Sequence, residues 1–210
     1  RIKKFDISEH PRIEEFIDNV VLELGRLDIL VNNAGIYAAP GWEDRNRPND
    51  RDWDMIYSVN VKGVSKATDA AVRQMRRRQY GKIINIASGA GRQGSPDNPP
   101  YNVSKAGVIS LTQAYALELA SDNINVNAIC PGLLWTPMWE RIAKRRIRMD
   151  ESMGGLSPRR AFNRIVSERI PLGREQTPED IGNLAVFLAS DLSENITGQA
   201  INVNGGSRLD

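Results

Sequence analysis

Apolar positions recur at helical spacing through Ile13, Phe16, Ile17, Val20, Val21 and Leu24, with a helix start read at Ser8 and Gly25 placed to stop it. The period then changes at once to "LDILV", a continuous apolar run whose shortness suits a strand buried on both faces. The same alternation follows down the chain: a helical stretch around Trp53 to Met75, the strand "KIINIA", a helix from about Asn102 to Ala120, and the strand "INVNAI". In "TPEDIGNLAVFLAS", Thr177 reads as N-cap and Pro178 as the first helical residue, with acids in the first turn; the strand "QAINV" comes next. Strands alternating with amphipathic helices predict an α/β fold on a mostly parallel sheet, in one domain over residues 1–210. One zone breaks the rhythm. Residues 137–171 leave the end of a strand, where open α/β sheets bind ligands, and are expected to form a mobile substrate lid.

After "KIINIA" the segment "GAGRQG", Gly89 to Gly94, spells the dinucleotide pattern G-x-G-x-x-G. That turn grips phosphate only when a helix opens directly behind it, because the helix N-terminus supplies the N–H groups and the dipole. Here "SPDNPPY" follows, and three prolines within five residues argue against a helix start. No acidic residue at the tip of a second strand follows either, so the match is read as a decoy.

The residues flanking it carry more chemistry. Ser88 ends the strand, and "YNVSK" places Tyr101 and Lys105 four apart, on one face of a helix. A free tyrosine titrates near ~10; bringing it to ~7 takes about 4 kcal/mol, which a nearby ammonium can largely supply. With a strand-end hydroxyl to donate to a substrate oxygen, the three form an acid–base site for an alcohol or carbonyl. The bland alternative is a surface Tyr–Lys pair beside a serine.

Composition removes other classes. Lys and Arg number 28 against 26 Asp and Glu, so no basic footprint for nucleic acid covers the chain. Cys130 is the only cysteine, fitting a reducing compartment, and no apolar run reaches the ~18 residues of a membrane span; a cytoplasmic protein is expected. With His10 as the only histidine, neither a metal site nor a His-based triad can be assembled, and no metal is expected.

Motifs in order along the whole chain, "FDIS", "NNAG", "SVNVKG", "NIAS", "YNVSK", "CPGLLWTPM" and "ITGQAINVNGG", make it resemble the classical short-chain dehydrogenase/reductase family. That resemblance implies a Rossmann-like doubly wound parallel sheet in three α/β/α layers, NAD or NADP as cofactor, and a homotetramer. It implies that Tyr101 exchanges a proton with the substrate oxygen, Lys105 lowers its pKa and holds the nicotinamide ribose, Ser88 polarises the carbonyl, and Asn60 positions a water that relays protons. It further implies that Asp6 and Ile7 contact the adenine, and Asn33, Ala34 and Gly35 the adenosine ribose. Pro131, Gly132, Leu134 and Thr136 are implied to hold the carboxamide, leaving the glycines after Ser88 as a flexible wall of the substrate pocket.

The family's own nucleotide turn, T-G-x-x-x-G-x-G, is not found in the chain, and Arg1 aligns with the family's third strand. The first two strands, roughly fifty residues of the dinucleotide-binding pattern, are therefore expected in a longer functional protein. The substrate side is expected to draw on Gln93 to Pro100, Tyr37, Trp135, Met138 and Trp139. The phrases "CPGLLWTPMWE" and "IPLGREQTPEDIGNLAVFLAS" look most like acetoin, diol and polyol dehydrogenases. Arg141, Lys144, Arg145, Arg146 and Arg148 are read as a solvated helix face, or as binders of an anionic substrate group. Trp135 and Trp139 line the pocket or anchor the lid. The leading expectation is an oxidoreductase moving hydride between NAD(P) and a secondary alcohol or ketone. A non-catalytic, truncated relative acting through oligomerisation is the second, and nucleic-acid binding through the arginine-rich segment a distant third.

Overall fold

The alternating pattern becomes a parallel sheet in the computed structural model, which describes all residues Arg1–Asp210. Strands β1 (Ile29–Asn32), β2 (Gly81–Ile86), β3 (Ile124–Pro131) and β4 (Ala200–Val203) lie side by side in chain order, every neighbouring pair parallel. Helix α1 (His10–Leu24) precedes β1; α2 (Asp50–Tyr57) and α3 (Val64–Arg76) lead to β2; α4 (Pro99–Leu119) leads to β3. Between β3 and β4 come α5 (Pro137–Met149), α6 (Pro158–Arg169) and α7 (Pro178–Ala189).

Successive residues of β2 point to opposite faces, and each face has its own helix layer. Ile83 packs with Met75 and Leu119 of α3 and α4 and with Val126 of β3. Ile84 packs with Ile129 and with Leu188 of α7. This gives the expected three layers, and burying β2 and β3 on both sides explains their unbroken apolar character.

β1 departs from expectation. It is an edge strand with Ile29 and Val31 44% and 45% exposed, so "LDILV" is not buried on both faces. No strand of residues 1–210 pairs with its outer side, and "RIKKFD" forms no strand at all. Instead Phe5 stacks on Phe16 with ring centroids 4.4 Å apart, and an apolar groove of about 150 Å³ runs between Phe5, Ile7 and Phe16 and the β1 edge.

Two helix starts also differ. α1 begins at His10 rather than Ser8, because Ser8 turns its backbone N–H and hydroxyl onto the Asp6 carboxylate, at 2.9 and 2.8 Å. α4 begins at Pro99, only five residues past Gly94, with Pro99 and Pro100 in its first turn. Prolines lack a donor that the first turn does not use, so the "NPP" run opens the helix instead of excluding one. At α7 the reading holds in detail: Thr177 and Asp180 form a reciprocal capping box around Pro178.

Residues 137–171 fold as two helices with an apolar seam. Met153, Ala161 and Ile165 form one cluster, and Phe162, Val166 and Ile170 another. Trp135 and Trp139 each lie 5.2 Å from the Phe162 ring, so both tryptophans anchor this pair of helices.

Candidate active site

The carboxyl ends of parallel strands point the same way, which brings three sequence-distant segments to one rim. After β1 come Asn33, Ala34 and Gly35; after β2 comes Ser88; β3 ends at Pro131, and Gly132, Leu134 and Thr136 follow it. A buried side-chain ladder fixes the depth of these ends. Asn32 Nδ2 donates to Asn85 Oδ1 (2.8 Å) and Thr68 Oγ1 (3.1 Å), and Asn85 Nδ2 donates to Thr112 Oγ1 on α4 (2.9 Å). The amide of Asn85 has no apolar alternative in so dry a place, so it locks β2 to α4.

Ser88 N-caps a short 3₁₀ turn, Gly89–Arg92, by accepting from Ala90 N–H at 3.1 Å. One lone pair is thereby occupied and the hydroxyl proton is left to donate elsewhere. The turn is no flexible wall. A Cβ on Gly91 would lie 2.7 Å from the Lys105 carbonyl carbon and oxygen, so glycine is what lets the turn press against α4.

Tyr101 and Lys105 share a face of α4, the ammonium 5.8 Å from the phenol ring centroid. Lys105 is buried and donates to the Ile86 carbonyl at 2.7 Å, fixing its stem across the end of β2. Burial pushes Lys105 down to about 8 and Tyr101 up to about 12. The Ser88 hydroxyl offsets only part of the rise at Tyr101, and the neighbouring Tyr37 adds to it. Desolvation of the phenolate dominates at Tyr101 in this arrangement, while the Lys105 ammonium is engaged by a backbone carbonyl.

Asn60 lies in a π-helical turn, Ser58–Gly63, between α2 and α3. Such a turn is frequent at functional sites because it re-aims one side chain. Asn60 is fully buried, and its amide brackets Ile36: Oδ1 accepts from the Ile36 N–H (2.8 Å), and Nδ2 donates to the Ile36 carbonyl (2.9 Å) and to Ser104 Oγ (3.1 Å). It holds the chain beyond "NNAG" in front of Lys105.

The donors present suit the ribose and nicotinamide end of a dinucleotide. A methyl placed on Gly35 would touch both Asn60 Oδ1 (3.4 Å) and Lys105 Nζ (3.5 Å), so this glycine lets the chain after β1 lie close to the amide and the ammonium. Asp6, Asn33 and Ala34 are exposed near the same edge. On the β3 side Gly132 donates to the Val203 carbonyl (3.0 Å), and a Cβ there would lie 2.4 Å from Gln176 Oε1. Leu134 bridges to Gln176, and Thr136 N-caps α5 through Trp139 N–H.

Of the five α5 cations only Arg145 is buried; Lys144 and Arg148 are exposed as a solvated face would be, and each of the five has a partner within the protein. Arg145 is buried, stacks 4.4 Å over Trp42, and donates to the Arg45 (3.1 Å) and Asn46 (2.7 Å) carbonyls. Arg141 pairs with Glu43, Arg148 reaches the Glu43 and Arg45 carbonyls, Arg146 pairs with Asp97, and Lys144 with Glu140. Arg141, Arg145 and Arg148 together clamp the loop after β1 onto α5, while Arg146 ties α5 to the segment before α4. Asp52, fully buried, holds the loop's other side by accepting from Ala39 and Asn49 N–H and from Arg45. The sequence reading missed Asp52, whose only mark is its place in the capping box "NDRD". Gln93 lies between the glycine turn and α4, where its carbonyl accepts from Asn102 Nδ2 at 2.7 Å. His10 bonds the Ser58 carbonyl through Nε2, and Cys130 is a buried core residue.

The rim of strand ends and the Ser–Tyr–Lys group fit an oxidoreductase of the dinucleotide-dependent α/β class. Comparison narrows this. A family model described as enoyl-(acyl carrier protein) reductase matches residues 1–208. The 3-oxoacyl-(acyl-carrier-protein) reductase of Thermotoga maritima is 39% identical over 201 residues, 96% of this chain and 74% of the relative. The (S)-acetoin-forming diacetyl reductase of Staphylococcus epidermidis is 39% identical over 204 residues, 97% of this chain and 77% of the relative. Among solved structures, actinorhodin polyketide ketoreductase with NADPH superimposes with a TM-score of 0.86 at 34% identity, covering 98% of this chain and 76% of that one. NAD⁺-bound xylitol dehydrogenase gives 0.84 at 31%, covering 96% and 76%. The chain belongs to the short-chain dehydrogenase/reductase family, whose members work with NAD or NADP on CH–OH or carbonyl groups.

Proposed function

We propose that the protein interconverts a small secondary alcohol and its ketone, a vicinal diol, polyol or hydroxyketone type of substrate, with NAD(P). The observation that carries this is the convergence of Ser88, Tyr101 and Lys105 at the carboxyl end of β2, with Gly35 packed close to the ammonium. The bound dinucleotide supplies or takes up the hydride. Ser88 donates its free hydroxyl proton to the substrate oxygen. Tyr101 gives that oxygen its phenolic proton in reduction, leaving the phenolate, and as the phenolate takes the alcohol's proton in oxidation. Lys105 lies behind Tyr101 as the cation that stabilises the transient phenolate, and Asn60 holds Ile36 and a proton-relaying water in front of it.

Asn33, Ala34, Gly35, Pro131, Gly132, Leu134 and Thr136 line the cofactor side, with Asp6 and Ile7 toward the adenine; Gln93, Trp135 and Trp139 bound the substrate side, under 137–171 as lid. The relatives' names support a carbonyl substrate: a diacetyl reductase and a 3-oxoacyl reductase are equally similar to this chain. A cytoplasmic homotetramer completes the reading. No helix is long and apolar enough to cross a membrane, and Val103, Leu117, Val186 and Phe187 are apolar and exposed on α4 and α7.

The test is oxidation of NADH and of NADPH against diacetyl, acetoin, a short 3-ketoacyl thioester and a cyclic ketone. Turnover fastest with the vicinal diketone or hydroxyketone is expected. Preference for the thioester would replace the substrate class, and no turnover with any carbonyl, by protein shown to bind NAD(P)H, would remove the reading.

A further inference from the structure

We infer that Tyr37 is a positioning residue for Tyr101: its ring, braced from behind by Trp42 and Arg145, sets where the Tyr101 phenol stands. The inference rests on the reading of Tyr101 as the proton-exchanging group. The contacts form a continuous stack. Tyr37 meets Tyr101 with centroids 4.7 Å apart at 46°, Trp42 meets Tyr37 edge-on at 4.9 Å and 77°, and the Arg145 guanidinium covers Trp42 at 4.4 Å. Offset and edge-on aromatic pairs have preferred geometries, so each ring constrains the next.

The far end of the stack is pinned by hydrogen bonds from Arg145 to the Arg45 and Asn46 carbonyls, and Trp42 is buried in a cluster with Ala38 and Ile142. The near end is pinned as well. The Tyr37 carbonyl accepts from Asn98 Nδ2 at 2.7 Å, and Asn98 is the buried residue that precedes α4, the helix carrying Tyr101. Tyr37 and Tyr101 are therefore tied through both backbone and ring. A tyrosine on one helix face has two side-chain torsions, and only a neighbour on the open side can select the orientation that faces Ser88 and shield it from water. Tyr37 occupies that side; Ser104 and Lys105 are turned into the core. The same packing keeps the Tyr101 hydroxyl in dry surroundings, consistent with its raised pKa.

The experiment is a titration of ¹³Cζ-labelled tyrosines by NMR in the protein, the Tyr101 signal being assigned through Tyr101→Phe, for wild type, Tyr37→Phe and Tyr37→Leu. Groups facing the two rings are Ser88, Lys105, Asn98, Asp97, Arg145 and Arg146, and all are retained in these variants. Tyr37→Phe is expected to leave Tyr101 titrating within about 0.5 unit of wild type, since the ring remains. Tyr37→Leu is expected to lower it by about one unit or more as water reaches the phenol. An unchanged Tyr101 titration in Tyr37→Leu, with a native fold by circular dichroism, overturns the inference. Loss of fold in Tyr37→Leu moves the decision to Tyr37→His, which keeps a flat ring, and to Trp42→Leu, which removes the brace. Tyr101 titrating as in wild type in Trp42→Leu, or more than one unit away in Tyr37→His, also overturns it. Activity separates this from the reading beneath it: Tyr101→Phe that still turns over removes the catalytic role and leaves the positioning result standing.

Discussion

At Lys105 two effects compete, and burial wins. Held down to about 8 from an ordinary 10.5, the ammonium costs the folded state free energy wherever it is protonated, that is, below its folded pKa. Between about 8 and 10.5 the unfolded chain binds more protons than the native one, so stability rises with pH across that window. Lys82, also lowered by burial, adds to the rise. Tyr101 acts oppositely: raised from 10 to about 12, it keeps its proton in the native state after the unfolded state has lost it, so stability falls across that higher window. Urea unfolding at about pH 7 and about pH 9.5 is expected to show a gain in wild type that is reduced in Lys105→Met. An equal gain in both would show that Lys105 is not titrating in a buried site. The residue identities here were legible from the spacing of "YNVSK", but the burial around them was not. The ammonium's partner, the Ile86 carbonyl, is nineteen residues away and invisible to spacing.

At the scale of elements, register and close approach decide more than propensity. The 3₁₀ turn after Ser88 and the start of α4 touch through Gly91, which a methyl would push against the Lys105 backbone. Gly91→Ala is expected to cost on the order of 2 kcal/mol in unfolding free energy and to move α4 away from Ser88, read by thermal unfolding. Removal of the clamp by Arg145→Ala leaves the Asn46 carbonyl without its donor, takes one of two donors from the Arg45 carbonyl and uncovers Trp42, with an expected loss of about 2 kcal/mol. Unaltered melting of both variants would show that these contacts do not hold the rim. The helices and inner strands were readable because burial on both faces of β2 and β3, and the capping box at Thr177, leave local signatures. The arginine clamp was not readable, since "RIAKRRIRM" looks like a solvated face until the loop at 43–46 is seen lying on it. The exposed side of β1 fits the expectation that two further strands of the dinucleotide-binding pattern belong to a longer protein, since an apolar run written for burial on both faces here has one side uncovered.

For the whole molecule, three layers and the strand ends place every proposed chemical group on one rim, while apolar side chains are left facing outward at several sites. Val103 and Leu117 of α4 are exposed, as are Trp53 and Tyr57 of α2. Sedimentation is expected to give a multiple of the subunit mass, and a Val103→Glu, Leu117→Glu double variant is expected to shift it to a smaller species. A monomer in wild type would remove the homotetramer from the account. The central claim is that Tyr101 exchanges the substrate proton while NAD(P) exchanges the hydride. The measurement that bears on it most directly is a single-turnover assay of reduced-nicotinamide consumption with diacetyl, comparing wild type with Tyr101→Phe at matched cofactor occupancy. The account predicts a loss of at least about 100-fold in the rate for Tyr101→Phe, with cofactor binding and fold retained. A rate within a few-fold of wild type would contradict it.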